Sequence, residues 1–91
     1  MPLPELSRFF GIVVRMFFET GAGHNRPHFH AYHGEHTAVY GIDVIERMAG
    51  ELPTPQERLV VAWAEIHREE LRNAWASLQQ GRLPSKIEPL R

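Results

Sequence analysis

The sequence contains no cysteine, which excludes disulfide bonds and thiolate metal ligands. No stretch approaches the roughly 20 apolar residues of a membrane-spanning helix, and the first residues lack the apolar core of a signal peptide. The formal net charge is only −1, so no overall field attracts nucleic acid or an anionic membrane. These absences favour a cytoplasmic protein; nucleic acid stays possible as a partner, but the charge does not indicate it.

Internal repeats, low-complexity segments and linkers are also missing. The 91 residues, 43% of them hydrophobic, are enough for one small domain with its own core. We therefore expect a single domain over residues 1–91.

Histidine is concentrated in one place, because five of the six histidines lie between His24 and His36. Pro27 cannot donate to a sheet ladder and suits the position before a strand. Side chains alternate between the two faces of a strand. The next residues then form a strand in which His28, His30 and Tyr32 share one face, while the intervening apolar residues share the other.

The segment before this stretch predicts a first strand over Phe9–Phe18, preceded by an extended lead-in over Met1–Leu6 that holds two prolines. Arg15 points away from the core in that strand. The core face carries every second, apolar residue: Phe10, Ile12, Val14, Met16 and Phe18.

A two-residue turn at Gly34-Glu35 predicts a hairpin between the histidine strand and a third strand over Thr37–Ile45. This register pairs Ala31 with Ala38 and Phe29 with Tyr40, core residue against core residue. The other face would then bring Arg15 and Asp43 near the histidines, if the first two strands are neighbours.

The C-terminal half predicts one long helix. Thr54 and Glu57 resemble a capping box around Pro55, and no glycine or proline follows until Gly81, which gives about 26 helical residues. A broad apolar stripe runs along it: Leu59, Val60, Trp63, Ile66, Leu71, Ala74, Trp75 and Leu78. The expected fold is α+β, with a three-stranded antiparallel sheet packed on one long C-terminal helix in two layers.

The histidine strand is the candidate site, and three interpretations stay open. His28 and His30 lie about 6.5–7 Å apart along a strand and can converge on one ion, with His24 as a third ligand and Asp43 as a fourth ligand or supporting partner. Such nitrogen and oxygen ligands suit zinc or another first-row ion.

The second interpretation is a site for an anion or phosphate, with charge from Arg15 and Arg26. In that case the candidate catalytic residues are His28, His30, Arg15, Arg26 and Tyr32. The third interpretation is an ordinary surface or interface strand. His67, within the helix stripe, is either a hydrogen-bonded core histidine or, if the helix faced the same cavity, an acid or base.

Several motifs together carry a resemblance to a known family. They are Ser7-Arg8-Phe9-Phe10-Gly11-Ile12, the segment from His24 to Tyr32 with its His-x-x-Pro-His-Phe-His core, Gly50-Glu51-Leu52-Pro53, Trp63, His67, Glu69-Glu70-Leu71, Trp75 and Lys86-Ile87-Glu88-Pro89-Leu90. The chain resembles the short bacterial proteins of domain of unknown function 4160, from which it departs at Arg26, where the family often has a second proline.

The resemblance implies a bacterial cytoplasmic protein whose gene is often found beside that of another small protein, similar to toxin–antitoxin pairs. The expected function is therefore a protein-interaction or regulatory module of such a two-gene cassette, partnered by the second small protein, by further copies of itself, or by both. The alternative is a metal-dependent hydrolase or a ribonuclease-type toxin that uses the histidine cluster.

Overall fold

The protein folds as a five-stranded antiparallel sheet followed by two helices. The computed structural model describes residues 4–18 and 26–91. The strands are β1 (Glu5–Phe9), β2 (Ile12–Arg15), β3 (His28–His33), β4 (His36–Gly41) and β5 (Arg47–Gly50), and the helices are α1 (Thr54–Ile66) and α2 (Arg68–Gln79). The strand order in the sheet is β1-β2-β3-β4-β5, so each strand pairs with its neighbours in sequence. The prediction of an α+β fold with an antiparallel sheet is confirmed. The predicted numbers of three strands and one helix are wrong, because the sheet has five strands and the helical region forms two helices.

The predicted first strand is in fact a hairpin. β1 begins at Glu5, inside the predicted lead-in, and β2 ends at Arg15. Between them Phe10 and Gly11 both have positive φ, 48° and 76°, which is typical of a two-residue type I′ turn. The turn leaves Phe10 exposed, and Phe18 beyond β2 is exposed as well, so neither belongs to the core face.

A bulge lies in β1. The pairing with β2 shifts between Glu5 and Ser7, and both Leu6 and Ser7 are buried. Within the described residues, the Ser7 hydroxyl is the one buried side-chain polar atom without a hydrogen-bond partner.

The hairpin of β3 and β4 has the predicted register. Phe29 pairs with Tyr40 and Ala31 with Ala38 across a turn at residues 34 and 35. Gly34 has φ 59° and Glu35 does not have a positive φ, as in a type II′ turn. β4 ends at Gly41 rather than Ile45, and the segment that follows contains β5, a strand that was not predicted.

The helical region occupies the predicted range, but it is interrupted at His67, with φ −107° and ψ 25°. The region contains no proline or glycine, so the usual sequence signs of a break are missing. The His67 Nδ1 atom lies 2.5 Å from the Glu70 carboxylate, and its ring lies 5.6 Å from that of Trp63. Ile66, at the end of α1, is 67% exposed and not part of the buried stripe.

The predicted capping box does not form. The N-cap of α1 is Pro53, without a side-chain capping bond. Glu57 instead accepts a 2.8 Å hydrogen bond from the Tyr40 hydroxyl and lies 3.5 Å from the Arg47 guanidinium. Burial, and then this bond to Glu57, raises the pKa of Tyr40 far above its usual range. Glu57 thus ties α1 to β4 and β5.

The core lies between one face of the sheet and the helices. It holds a cluster of buried side chains from the strands, both helices and the C-terminal segment: Leu6, Phe9, Ile12, Val14, Met16, Phe29, Ala31, Ala38, Tyr40, Ile42, Leu52, Val60, Trp63, Ala64, Leu71, Ala74, Trp75, Leu78 and Ile87. None of the helices in the described residues is long and apolar enough to cross a membrane.

The C-terminal segment closes the edge of the sheet at β1. The Ile87 amide donates to the Leu6 carbonyl at 2.8 Å, and the Trp63 indole donates to the Glu88 carbonyl at 2.8 Å. The predicted helix end at Gly81 is confirmed: the Arg82 amide donates to the Ser77 carbonyl around Gly81, which has φ 77°.

Candidate functional site

The face of the sheet opposite the core, here called the open face, carries the predicted histidines. His28, His30 and Tyr32 are half-buried and alternate along β3 with fully buried residues. Directly paired residues share a face, and the ladders pair His30 with Arg15 and Val39, and Tyr32 with Val13. The open face is defined by these side chains and their neighbours: Glu5, Arg8, Val13, Arg15, Phe17, His28, His30, Tyr32 and Val39.

Aromatic rings form a continuous row along β3. The His30 ring lies 6.5 Å from Tyr32 in a nearly parallel orientation, and 4.5 Å from Phe17 edge-on, both measured between ring centroids. The His28 and His30 rings are 5.4 Å apart. The strand therefore brings together the two imidazoles and the phenol that the sequence singled out.

His28 also contacts the helical layer. Its ring lies 5.1 Å from that of Trp75 in α2. Its Nδ1 atom lies 2.7 Å from the Arg26 carbonyl, and because a carbonyl only accepts, Nδ1 carries the proton. Any metal or acid–base function of His28 would therefore use Nε2. Alternation along β3 predicts that both imidazoles lie on the face away from the core, but the contact with Trp75 shows that His28 also reaches α2.

The two arginines proposed for an anion site lie in different surroundings. Arg15 is half-buried, with its guanidinium carbon 5.8 Å from the centre of the Tyr32 ring. Arg26 pairs with Glu46 at 2.5 Å, and its guanidinium lies beside Gly41. Arg15 therefore belongs to the histidine site, whereas Arg26 holds the start of β3 to the segment between β4 and β5.

The proposed metal ligands are not assembled among the described residues. Asp43 follows β4 and pairs with Arg72 of α2 at 3.1 Å, while its carbonyl lies 3.4 Å from Arg68. His24 lies outside the described residues. Within residues 4–18 and 26–91, no group of three or more histidine, aspartate or glutamate side chains is placed to hold a metal ion. A metal site that includes His24 stays a prediction.

Charge on the open face is mixed. Arg8 donates a 2.8 Å hydrogen bond to the Glu5 carboxylate. This bond, together with the charges of Arg8, Lys86 and Arg15, lowers the pKa of Glu5 below its usual value, although partial burial opposes the shift. The face thus combines rings, aliphatic groups, a carboxylate and arginines, rather than a uniformly basic surface.

Comparison with known protein families matches residues 11–76 to the family described as Domain of unknown function (DUF4160). This chain belongs to the DUF4160 family. No curated protein and no solved structure matches it. The match covers most of the chain, and it includes every histidine of the DUF4160 sequence, together with Arg15, Tyr32 and Trp75.

Two features of this DUF4160 protein lay beyond sequence reasoning. The sequence places Trp75 in the apolar stripe of the helix, and nothing in the pattern predicted its contact with His28. His33 was not singled out either. Its Nδ1 atom lies 3.1 Å from the Gly11 carbonyl, and it joins the tip of β3 to the β1–β2 turn.

A pocket of about 180 Å³ lies elsewhere, between α2 and the C-terminal segment. Its lining mixes charged, polar and apolar side chains: Glu70, Asn73, Ala74, Ser77, Ser85, Lys86 and Ile87. None of the candidate site residues lines this pocket.

Proposed function

We propose that this protein is an interaction or regulatory module that binds a second small protein through the open face. In this proposal it acts in the bacterial cytoplasm as one half of a two-gene cassette, similar to toxin–antitoxin pairs. The observation that carries the proposal is the contrast between the two faces of the sheet. Both helices contribute their buried side chains to the core on one face, whereas the rings and valines of the other face remain half-buried.

The chemistry of the open face suits a protein partner. Half-exposed aromatic and aliphatic groups beside arginine are typical of the centre of protein interfaces, where tyrosine and arginine are enriched. The small net charge and the pairing of Arg8 with Glu5 favour a partner of mixed polarity over a phosphate backbone. A partner that covers Phe17, His30 and Val39 would remove a contiguous apolar patch from water.

The variant Val39→Glu tests this proposal. Val39 lies between His30 and Ala49 on the open face, so a carboxylate there leaves the core intact but must be desolvated under a partner. We expect affinity for the protein encoded by the adjacent gene to fall about a hundredfold, measured by isothermal titration calorimetry. That loss corresponds to about 2.7 kcal/mol.

The matched control is Ile66→Glu, which places the same charge at an exposed β-branched residue of α1. We expect it to bind as well as the wild type. Equal affinities for all three proteins would show that the open face is not the interface, and separate elution of the two wild-type proteins at every salt concentration would remove the proposed partner. Size-exclusion chromatography of the isolated protein reports whether the same face joins two copies.

The alternative function is enzymatic, and the proximity of His28 and His30 supports it. Two imidazoles 5.4 Å apart beside Arg15 can serve as acid and base on a phosphodiester, as in a ribonuclease-type toxin. With His24 they would provide nitrogen ligands for a zinc or other first-row ion in a hydrolase.

Metal analysis separates these possibilities. If the histidines bind a metal, protein purified without a histidine tag contains a stoichiometric ion, and its removal lowers the melting temperature because a ligand of the native state stabilises it. His30→Ala should abolish both effects. Metal-free protein that gains no stability from zinc, manganese or nickel rules out the metal-dependent hydrolase. For the ribonuclease-type toxin, RNA cleavage that is retained in His28→Ala and His30→Ala would rule out the histidine mechanism.

A further inference from the structure

Phe10 combines backbone strain with exposure. It is the single non-glycine residue with positive φ in the described part of the chain, at 48°. Asparagine, aspartate or glycine normally fills this first position of a type I′ turn, because a side chain there crowds the backbone. A bulky aromatic in this conformation is an outlier that requires an explanation.

Burial of the Phe10 side chain does little to offset this strain. The Phe10 side chain is 62% exposed, whereas the neighbouring Phe9 is buried with its ring 5.4 Å from that of Trp63. Strained backbone conformations of this kind concentrate at ligand clamps and binding sites.

The turn presents Phe10 on a fixed support. The Gly11 carbonyl lies 3.1 Å from His33 Nδ1, and a Cβ on Gly11 would lie only 3.3 Å from the His33 ring. The β1–β2 turn is thus held against β3. An aromatic group on a rigid turn loses little conformational entropy when it is buried by a partner.

The turn is also continuous with the open face. Arg8, two residues before Phe10, pairs with Val13, two residues after Gly11. Both side chains of this pair belong to the open face. His33, which contacts the turn, follows Tyr32 of the aromatic row. A protein that covers the open face reaches Phe10 at its end.

We infer that Phe10 is an anchor of the partner interface, and that its ring enters an apolar pocket of the second small protein. The inference rests on the proposed function and adds to it the residue that contributes most to affinity and the chemistry of the partner surface. The Phe10 ring has no polar atom, so its complement is an apolar pocket, in contrast to the mixed surface expected opposite Arg15 and Tyr32.

A residue kept for binding and a residue kept for folding respond oppositely to substitution. Phe10→Asn relieves the strain and removes an exposed ring, so we expect the melting temperature to rise by about 4 °C or more. The same variant should bind the protein of the adjacent gene at least tenfold more weakly, as loss of an anchor does.

The experiment measures thermal unfolding and calorimetric affinity for four proteins. They are the wild type, Phe10→Asn, the polar-ring variant Phe10→Tyr, and the control Leu83→Asn, which removes another exposed apolar side chain. Phe10→Tyr should keep the wild-type melting temperature but bind about tenfold more weakly than the wild type, because its hydroxyl has no hydrogen-bond partner in an apolar pocket. Leu83→Asn should keep wild-type affinity.

The outcomes distinguish the inference from the proposed function. If the wild type binds its partner and Phe10→Asn binds equally well, the role of Phe10 as an anchor is disproved, but the proposed interaction module is retained. A Phe10→Asn protein that melts below the wild type assigns Phe10 to folding and also disproves it. If the wild type does not bind the protein of the adjacent gene, the proposed function and the inference are both disproved. If the wild type dimerises and Phe10→Asn is monomeric in sedimentation, the pocket belongs to a second copy of this chain and the inference is overturned.

Discussion

Trp63→Ala is expected to remove about 3–5 kcal/mol of stability, the range for truncating a large aromatic residue in a core. Trp63 is fully buried, and its ring lies 5.4 Å from Phe9 and 5.9 Å from Phe29. Small domains have only about 5–15 kcal/mol of total stability. The loss should lower the urea midpoint by about 2 M, at a typical dependence of about 1–3 kcal/mol per molar urea.

Trp63→Phe is the informative companion variant. It keeps much of the ring but removes the indole N–H that donates to the Glu88 carbonyl. We expect a smaller loss of stability and faster hydrogen exchange at the Ile87 amide, because the C-terminal segment loses its hydrogen bond to the Trp63 indole. If Trp63→Ala unfolds at the wild-type midpoint, the described core is incorrect.

Gly50→Ala should destabilise the protein by about 2–5 kcal/mol. Gly50 has φ 67°, and a Cβ there would lie 2.2 Å from the Thr37 carbonyl oxygen and 3.0 Å from the Ala38 Cα. The left-handed backbone contributes about 1–2 kcal/mol, and overpacking contributes about 1–3 kcal/mol. β5 must move to relieve the contact, which also disturbs the bond from the Glu51 amide to the Thr37 carbonyl.

Gly34→Ala is the matched control for this experiment. Gly34 has a similar φ of 59°, but a Cβ there meets nothing within 4 Å. Chemical denaturation of both variants separates the cost of the left-handed backbone from the cost of the steric clash. Gly34→Ala should show only the backbone cost. Equal losses for the two would mean that Thr37 and Gly50 are not in close contact.

The sequence predicted the β3–β4 hairpin correctly because two independent signals agreed. Alternation placed Phe29 and Ala31 on one face, and the Gly34-Glu35 turn fixed the register. The β1–β2 hairpin gave no comparable signal, since Phe10 is a poor turn residue and Gly11 lay within an apolar run. Where a turn uses an unfavourable residue, local propensity cannot locate it.

The candidate site was predictable to the extent that it lies within one strand. His28, His30 and Tyr32 share a face by alternation alone, and Arg15 joins them because β2 pairs with β3. Trp75 and Asp43 were not predictable, because their contacts depend on α2 after the break at His67. No proline or glycine marks that break in the sequence.

The order of the elements has a consequence for folding. All five strands precede the helices in the chain, and each strand pairs with its neighbour, so every strand pairing is local in sequence. Local contacts close short loops, and we therefore expect the hairpins to form before the helices pack. Until the helices pack, the sheet displays Phe29, Ala31 and Tyr40 to solvent, and we expect a chaperone that binds apolar segments to recognise the chain at that stage.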